Sequence, residues 1–291
     1  MGKNYRMNNI QKIRNTHALF FNELDFLHTL DFDKFLHPGE VNIGIVPDPE
    51  DNIVYNYNSA GFRSDEFIEH HNGSHVLFAG CSETEGAGDN IENCWPGMVY
   101  DHLSKNNSLS GFFNLGRSGW GWQIILANIF EYIKKYKKPD QLFIMFPNLG
   151  RFYEWIEKDG DEVYAYRGTI PNNSNSDPKA KVKKEKLTIK EHRSLMINFT
   201  LSIKMLEEYC RSNNIKLLWG TWDEDDEYNY RMLGFDNFVS FMPKEEFVTD
   251  NYEFYIKNIK TRKYWERKRD GHNGYLSHYI WSRGFIDRLD I

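Results

Sequence analysis

His75-Val-Leu-Phe-Ala-Gly80-Cys-Ser-Glu-Thr-Glu-Gly86 is the stretch that decides the fold. A short apolar run ending in glycine reads as a buried strand, and the polar turn after it reads as the strand's exit into a helix. Working outward, the same alternation repeats. A helix is predicted over about 95–103, a strand over Phe112–Gly116, a helix over 123–136 and a strand over Gln141–Phe146. Further on, 190–213 has helical spacing, Ile215–Trp222 reads as another strand, and Ser277–Leu289 as a closing helix. Strands alternating with helices imply βαβ units, and hence a parallel sheet covered on both faces. The expected fold class is therefore α/β, a three-layer α/β/α sandwich with a parallel central sheet.

Upstream, apolar residues recur at helical spacing over 10–36, and Pro38-Gly39 ends that pattern. Residues 41–63 read as extended. The organisation expected is an N-terminal helical and extended extension over 1–57, followed by one domain over 58–291. That domain carries two long insertions, at about 151–187 and 223–268. The first mixes aromatic residues with the basic run Lys179–Lys186, and the second opens acidic at Asp223–Glu227. Loops of such length are usually functional or mobile.

Bulk properties exclude several classes. The 291 residues are 40% hydrophobic and 27% charged, enough apolar content to bury a substantial core. Thirty-six basic against 42 acidic residues give a net charge of −6, which argues against a general nucleic-acid binder. Cys81, Cys94 and Cys210 are too few and too scattered for a disulfide framework, and no CxxC pair suggests zinc. His70-His71 beside Glu69 reads as a solvated turn and not as a metal site. The sequence shows no secretory signal and no apolar run of transmembrane length. Synthesis in a cytoplasm is expected, with the final location open and a virion among the options.

Ser82 sits where a strand-to-helix turn would expose its Oγ above the sheet, with backbone N–H groups nearby to bind an anion. The α/β-hydrolase elbow GxSxG would need glycine at 84, and this chain has Thr84. Further polar residues stand at the ends of successive predicted strands. Asn114-Leu-Gly-Arg-Ser-Gly119 follows the second, Pro147-Asn148 the third, and Asp270-Gly-His272 precedes the final helix. Asn58-Ser-Ala-Gly-Phe-Arg63 comes before the first strand, and Glu92-Asn-Cys-Trp-Pro96 after the serine.

This order of Ser, Gly, Asn and late Asp/His blocks resembles the SGNH/GDSL hydrolases, over about 58–148 and 215–289. The resemblance implies a flavodoxin-like fold and ester hydrolysis through an acyl-enzyme, with no metal and no cofactor. It implies Ser82 as nucleophile and His272 as general base, and either Asp270 orients His272 or the two act as a Ser–His dyad. The oxyanion hole would combine the N–H groups of Ser82 and Gly119 with the Asn148 side chain. His278 is a competing base. Three departures stand out: Cys81 replaces the family's Asp, Pro147 and Leu149 flank Asn148, and the Asp-to-His spacing is one residue shorter than usual. The expected partner is a small-molecule or glycan ester, O-acetylated carbohydrate included, and acyl transfer would use the same residues. The alternative is a non-catalytic structural or glycan-binding protein that keeps the fold, such as a virion component or a homo-oligomer. Trp120 and Trp122 beside Gly119 stack on a sugar in one reading and fill the core in the other.

Overall fold

A computed structural model describes residues 44–48, 53–69, 72–158, 161–167, 189–241 and 272–289. The helix expected over 10–36, His70-His71, the basic run 179–186 and Asp270 lie outside the described residues. In chain order, an antiparallel hairpin comes first, β1 (Gly44–Asp48) with β2 (Ile53–Tyr57). Then follow β3 (Val76–Gly80), the one-turn helix α1 (Ser82–Glu85), α2 (Trp95–Ser104), β4 (Phe113–Gly116), α3 (Trp122–Lys135) and β5 (Gln141–Phe146). A second hairpin pairs β6 (Phe152–Lys158) with β7 (Asp161–Arg167). The chain continues through α4 (Ile189–Ser212), β8 (Lys216–Thr221), α5 (Glu224–Leu233) and α6 (Tyr275–Leu289).

The fold is α/β. Strands β3, β4, β5 and β8 form a parallel sheet in the order β4-β3-β5-β8. All five residues of β3 are buried, because successive side chains enter cores on opposite faces of the sheet. Leu77 and Ala79 join Ile125 and Ile129 of α3, Phe199 and Ile203 of α4, and Tyr230 of α5. Val76 and Phe78 join Trp95 and Val99 of α2 with Trp281 and Phe285 of α6. Trp95 and Phe285 bring their ring centroids to 4.9 Å, locking α2 to α6. Among the described residues, no helix is long and apolar enough to cross a membrane.

The stretch 223–268 is expected above as an insertion, yet its beginning is core. Asp223 caps α5, its Oδ1 accepting the Asp226 N–H at 3.0 Å, and Gly234 ends the helix at φ +64°. Tyr230, Phe235, Val239 and Phe241 are buried. Beyond α5, the chain pairs along the outer edge of β8: Trp219 N–H donates to Asn237 O and Val239 N–H to Trp219 O. A single parallel bridge, Trp219 to Phe238, thus adds the rudiment of a fifth strand. The acidic opening of the expected insertion is the capped first turn of a packing helix.

At the turn after β3, two glycines are required by close approach. A Cβ on Gly116 would lie 2.3 Å from Glu85 N and 2.4 Å from Thr84 C, both backbone atoms. One on Gly80 would lie 1.9 Å from Thr84 Oγ1 and 2.7 Å from Met145 O. The turn around α1 therefore rests directly on the strand ends. Gly116→Ala should destabilise the fold by about 2 kcal/mol or more, since backbone cannot move aside as a side chain tip can. Urea unfolding of the variant, with an unchanged slope and a lowered midpoint, is the check; an unchanged midpoint would mean the turn is not seated this closely.

Candidate active site

The loops after β3, β4, β5 and β8 gather at the carboxyl ends of the strands, where ligands bind in open α/β sheets. The chain passes from β3 to β4 on one side and then to β5 on the other, so the topological switch point lies between β3 and β5. Ser82 follows the first of these strands and Asn148 the second. Ser82 is the first residue of α1 and is 4% exposed. Its Oγ lies 4.0 Å from Cys81 Sγ, and among the described residues no hydrogen bond joins it to His272. Cys81 is a buried, free thiol that receives the Trp222 indole N–H at 3.3 Å.

The C-terminal segment carrying His272 is held to the same turn by Glu83. Glu83 Oε1 accepts the Asn273 N–H at 3.4 Å and the Asn273 side-chain amide at 3.1 Å. His278 Nε2 lies 3.5 Å from Glu83 Oε2. The Trp95 N–H donates to His278 Nδ1 at 3.2 Å. A backbone N–H can only donate, so that nitrogen is bare, and the imidazole is neutral with its proton on Nε2, facing Glu83. His278 is fully buried, between the start of α2 and Glu83. Burial pushes the Glu83 carboxyl above its usual range, opposed in order by the charge of His272, the two Asn273 hydrogen bonds and the charge of Arg151.

The expected oxyanion donors sit on two further loops. Gly119 is exposed, with φ +83° and no atom within 4 Å of a built Cβ. The left-handed backbone, and not crowding, is what calls for glycine here. Its turn is pinned by Glu85, whose Oε2 accepts the N–H of Ser118 at 2.6 Å and also its hydroxyl. Glu85 Oε1 accepts the Tyr57 hydroxyl at 3.1 Å, and burial and the neighbouring carboxylate push that phenol up. Asn148 is fixed from both ends of its amide. Oδ1 accepts the Gly150 N–H at 2.7 Å, and Nδ2 donates to Asp223 Oδ2 at 2.7 Å. An amide nitrogen carries two hydrogens, and this bond uses one of them.

The flanking blocks act as braces. Asn114 Nδ2 donates to Thr84 O at 2.8 Å while its Oδ1 accepts the Gly116 N–H at 2.8 Å. Arg63 Nη1 donates to Gly86 O at 2.6 Å and Asp89 O at 2.7 Å, tying the segment before β3 to the turn after it. Trp120 and Trp122 are 3% and 5% exposed and pack on Phe62 and Phe199, so they fill the core and offer no stacking surface. Sequence reasoning missed Glu83, Glu85 and Asp223. The available signal for the first two was a pair of glutamates in a turn otherwise made of small residues and flanked by glycines. Among the described residues, no group of three or more His, Cys, Asp or Glu is gathered to hold a metal ion. Compared with known proteins, the chain matches no family model and no curated sequence.

The raised Glu83 carboxyl gives a stability prediction with a definite sign. Between the usual value of 4.5 and its raised folded value, the folded protein binds a proton that the unfolded chain has released. Stability therefore falls as pH rises through that interval. Glu83→Gln lacks this loss, so its stability relative to the parent should climb as pH is taken from about 4 to about 8. Urea midpoints measured across the series check it; a difference that stays flat or moves the other way would contradict the burial-dominated environment of Glu83.

Proposed function

We propose that the chain is a serine hydrolase of the SGNH type that cleaves carboxylic esters, on a three-layer, flavodoxin-like α/β/α sandwich. The observation that carries the reading is the docking of His272-Asn273 onto Glu83, the residue next to Ser82, across 190 positions of sequence and at the switch point of the sheet. Serine, late histidine, glycine turn and asparagine come from four separate loops, and all reach the same end of the sheet. Such convergence of polar groups is costly unless it serves a site.

In this reading His272 takes the proton of Ser82 as Oγ attacks the ester carbonyl, then returns it to the departing alcohol. Water repeats the sequence to release the acid. The N–H groups of Ser82 and Gly119 and the side-chain amide of Asn148 receive the oxyanion, each such donor being worth about 3–4 kcal/mol in the transition state. Asp270 orients His272. An O-acetylated carbohydrate is the substrate class we favour. A second reading, a non-catalytic binding or structural protein, draws on two observations: Ser82 and His272 share no hydrogen bond, and Asn148 spends one N–H on Asp223.

A fluorophosphonate probe separates the two. Labelling of the folded protein at Ser82, lost in Ser82→Ala, is the expected result; folded protein left unlabelled would favour the binding module. With an ester in hand, Asn148→Ala should lower turnover by about 100-fold or more without unfolding the chain. Asp270→Asn should cost roughly 10⁴-fold if that carboxylate fixes the tautomer of His272. Retention of more than about a tenth of the parent turnover would leave Ser82 and His272 as a dyad.

A further inference from the structure

Arg151 closes the loop that carries Asn148, its N–H donating to Asn148 O at 2.9 Å. Its guanidinium lies over the Trp222 ring, 5.2 Å from the centroid, and Trp222 in turn bonds Cys81, the residue before Ser82. The cation therefore stands at the rim of the Ser82 turn, close enough for its charge to act on Glu83. The acidic residues of the adjoining segments are engaged elsewhere. Asp223 holds Asn148 and the start of α5, Asp226 accepts the Leu149 N–H, and Glu83 holds Asn273. Among the described residues, no carboxylate forms a salt bridge with Arg151. A half-buried guanidinium presents five donors in a planar fork. Attracted to the face of an indole, it has less freedom left to lose when it binds an anion.

We infer that Arg151, held over Trp222 at the rim of the Ser82 turn, binds a carboxylate on the substrate, so that the preferred ester is one carried by a sugar acid or another acidic alcohol. The inference rests on the serine-hydrolase reading of the same site. A carboxylate matches the fork in shape and accepts two parallel hydrogen bonds. It also matches in charge. One cation among Glu83, Asp223 and Asp226, in a chain of net charge −6, suits a single negative charge better than a phosphate dianion.

The test compares an O-acetylated galacturonic acid with its carboxyl methyl ester, which has the same scissile bond and no charge. The parent protein should show a kcat/KM at least about 10-fold higher for the acid, carried mainly by KM. Arg151→Gln should bring the two substrates to near parity, and Arg151→Lys should fall between. Because the readout is a ratio within each variant, a general loss of activity does not mimic it. A parent ratio near one, or a ratio unchanged in Arg151→Gln, overturns the inference. Fluorophosphonate labelling of Ser82 in the same preparation tests the underlying reading separately. If labelling and turnover both fail, calorimetric binding of free galacturonate still decides the role of Arg151: binding that Arg151→Gln abolishes supports it, and no binding to the parent overturns it.

Discussion

The architecture of this face depends on how tightly one turn is pressed against the sheet. Residues 81–86 leave β3 and fold straight back over the ends of β3 and β4, leaving no room for a side chain at Gly80 or Gly116. Asn114 completes the clamp by bonding Thr84 O with one end of its amide and the Gly116 N–H with the other. A buried amide with both ends satisfied has essentially one orientation, so the turn inherits the rigidity of the strands below it. The positions of Ser82, Glu83 and Glu85 follow from that seating.

Glu83 and Glu85 then divide the work of assembling the surrounding loops. Two positions apart on a helical turn, their side chains leave the axis roughly 200° apart. One reaches the C-terminal segment through Asn273 and His278, and the other reaches the turn after β4 through Ser118. Burying carboxylates is expensive, and hydrogen bonds to a charged group return about 1.5–3 kcal/mol each. For Glu83 burial still outweighs the opposing charges and hydrogen bonds, which is why its carboxyl sits above its usual range. The balance sets the loops in place and leaves Glu83 sensitive to the charge of its neighbours.

Much of the scaffold was legible because buried parallel strands write themselves as short apolar runs. Gln141–Phe146 could be placed to the residue, and Val76–Gly80 nearly so. What was missed is a helix at the start of a stretch read as a long insertion: Asp223 caps it, and Asp226 is buried against the Leu149 N–H. Trp120 and Trp122 are adjacent to an exposed glycine in sequence but point into the core, since burial depends on which side of the chain faces the sheet. The β6/β7 hairpin escaped notice because its charged residues blur the alternation a strand pair usually shows. Glu83 was invisible for a deeper reason: its role is defined by partners 190 and 195 positions away, and no local pattern encodes them.

That separation has a consequence for how the molecule is made. Domains are built from the N-terminus as the chain is synthesised, and contacts between distant positions form late and slowly. The sheet through β8, the seated turn and the asparagine loop can all assemble before residues 272–289 exist. Glu83 would then wait as a buried carboxylate without its donors, and one face of β3 and β5 would lack the cover of Trp281 and Phe285. Residues 272–289 thus both seal a hydrophobic surface of the sheet and bring His272 to the turn, so a chain that lacks them would leave that face uncovered.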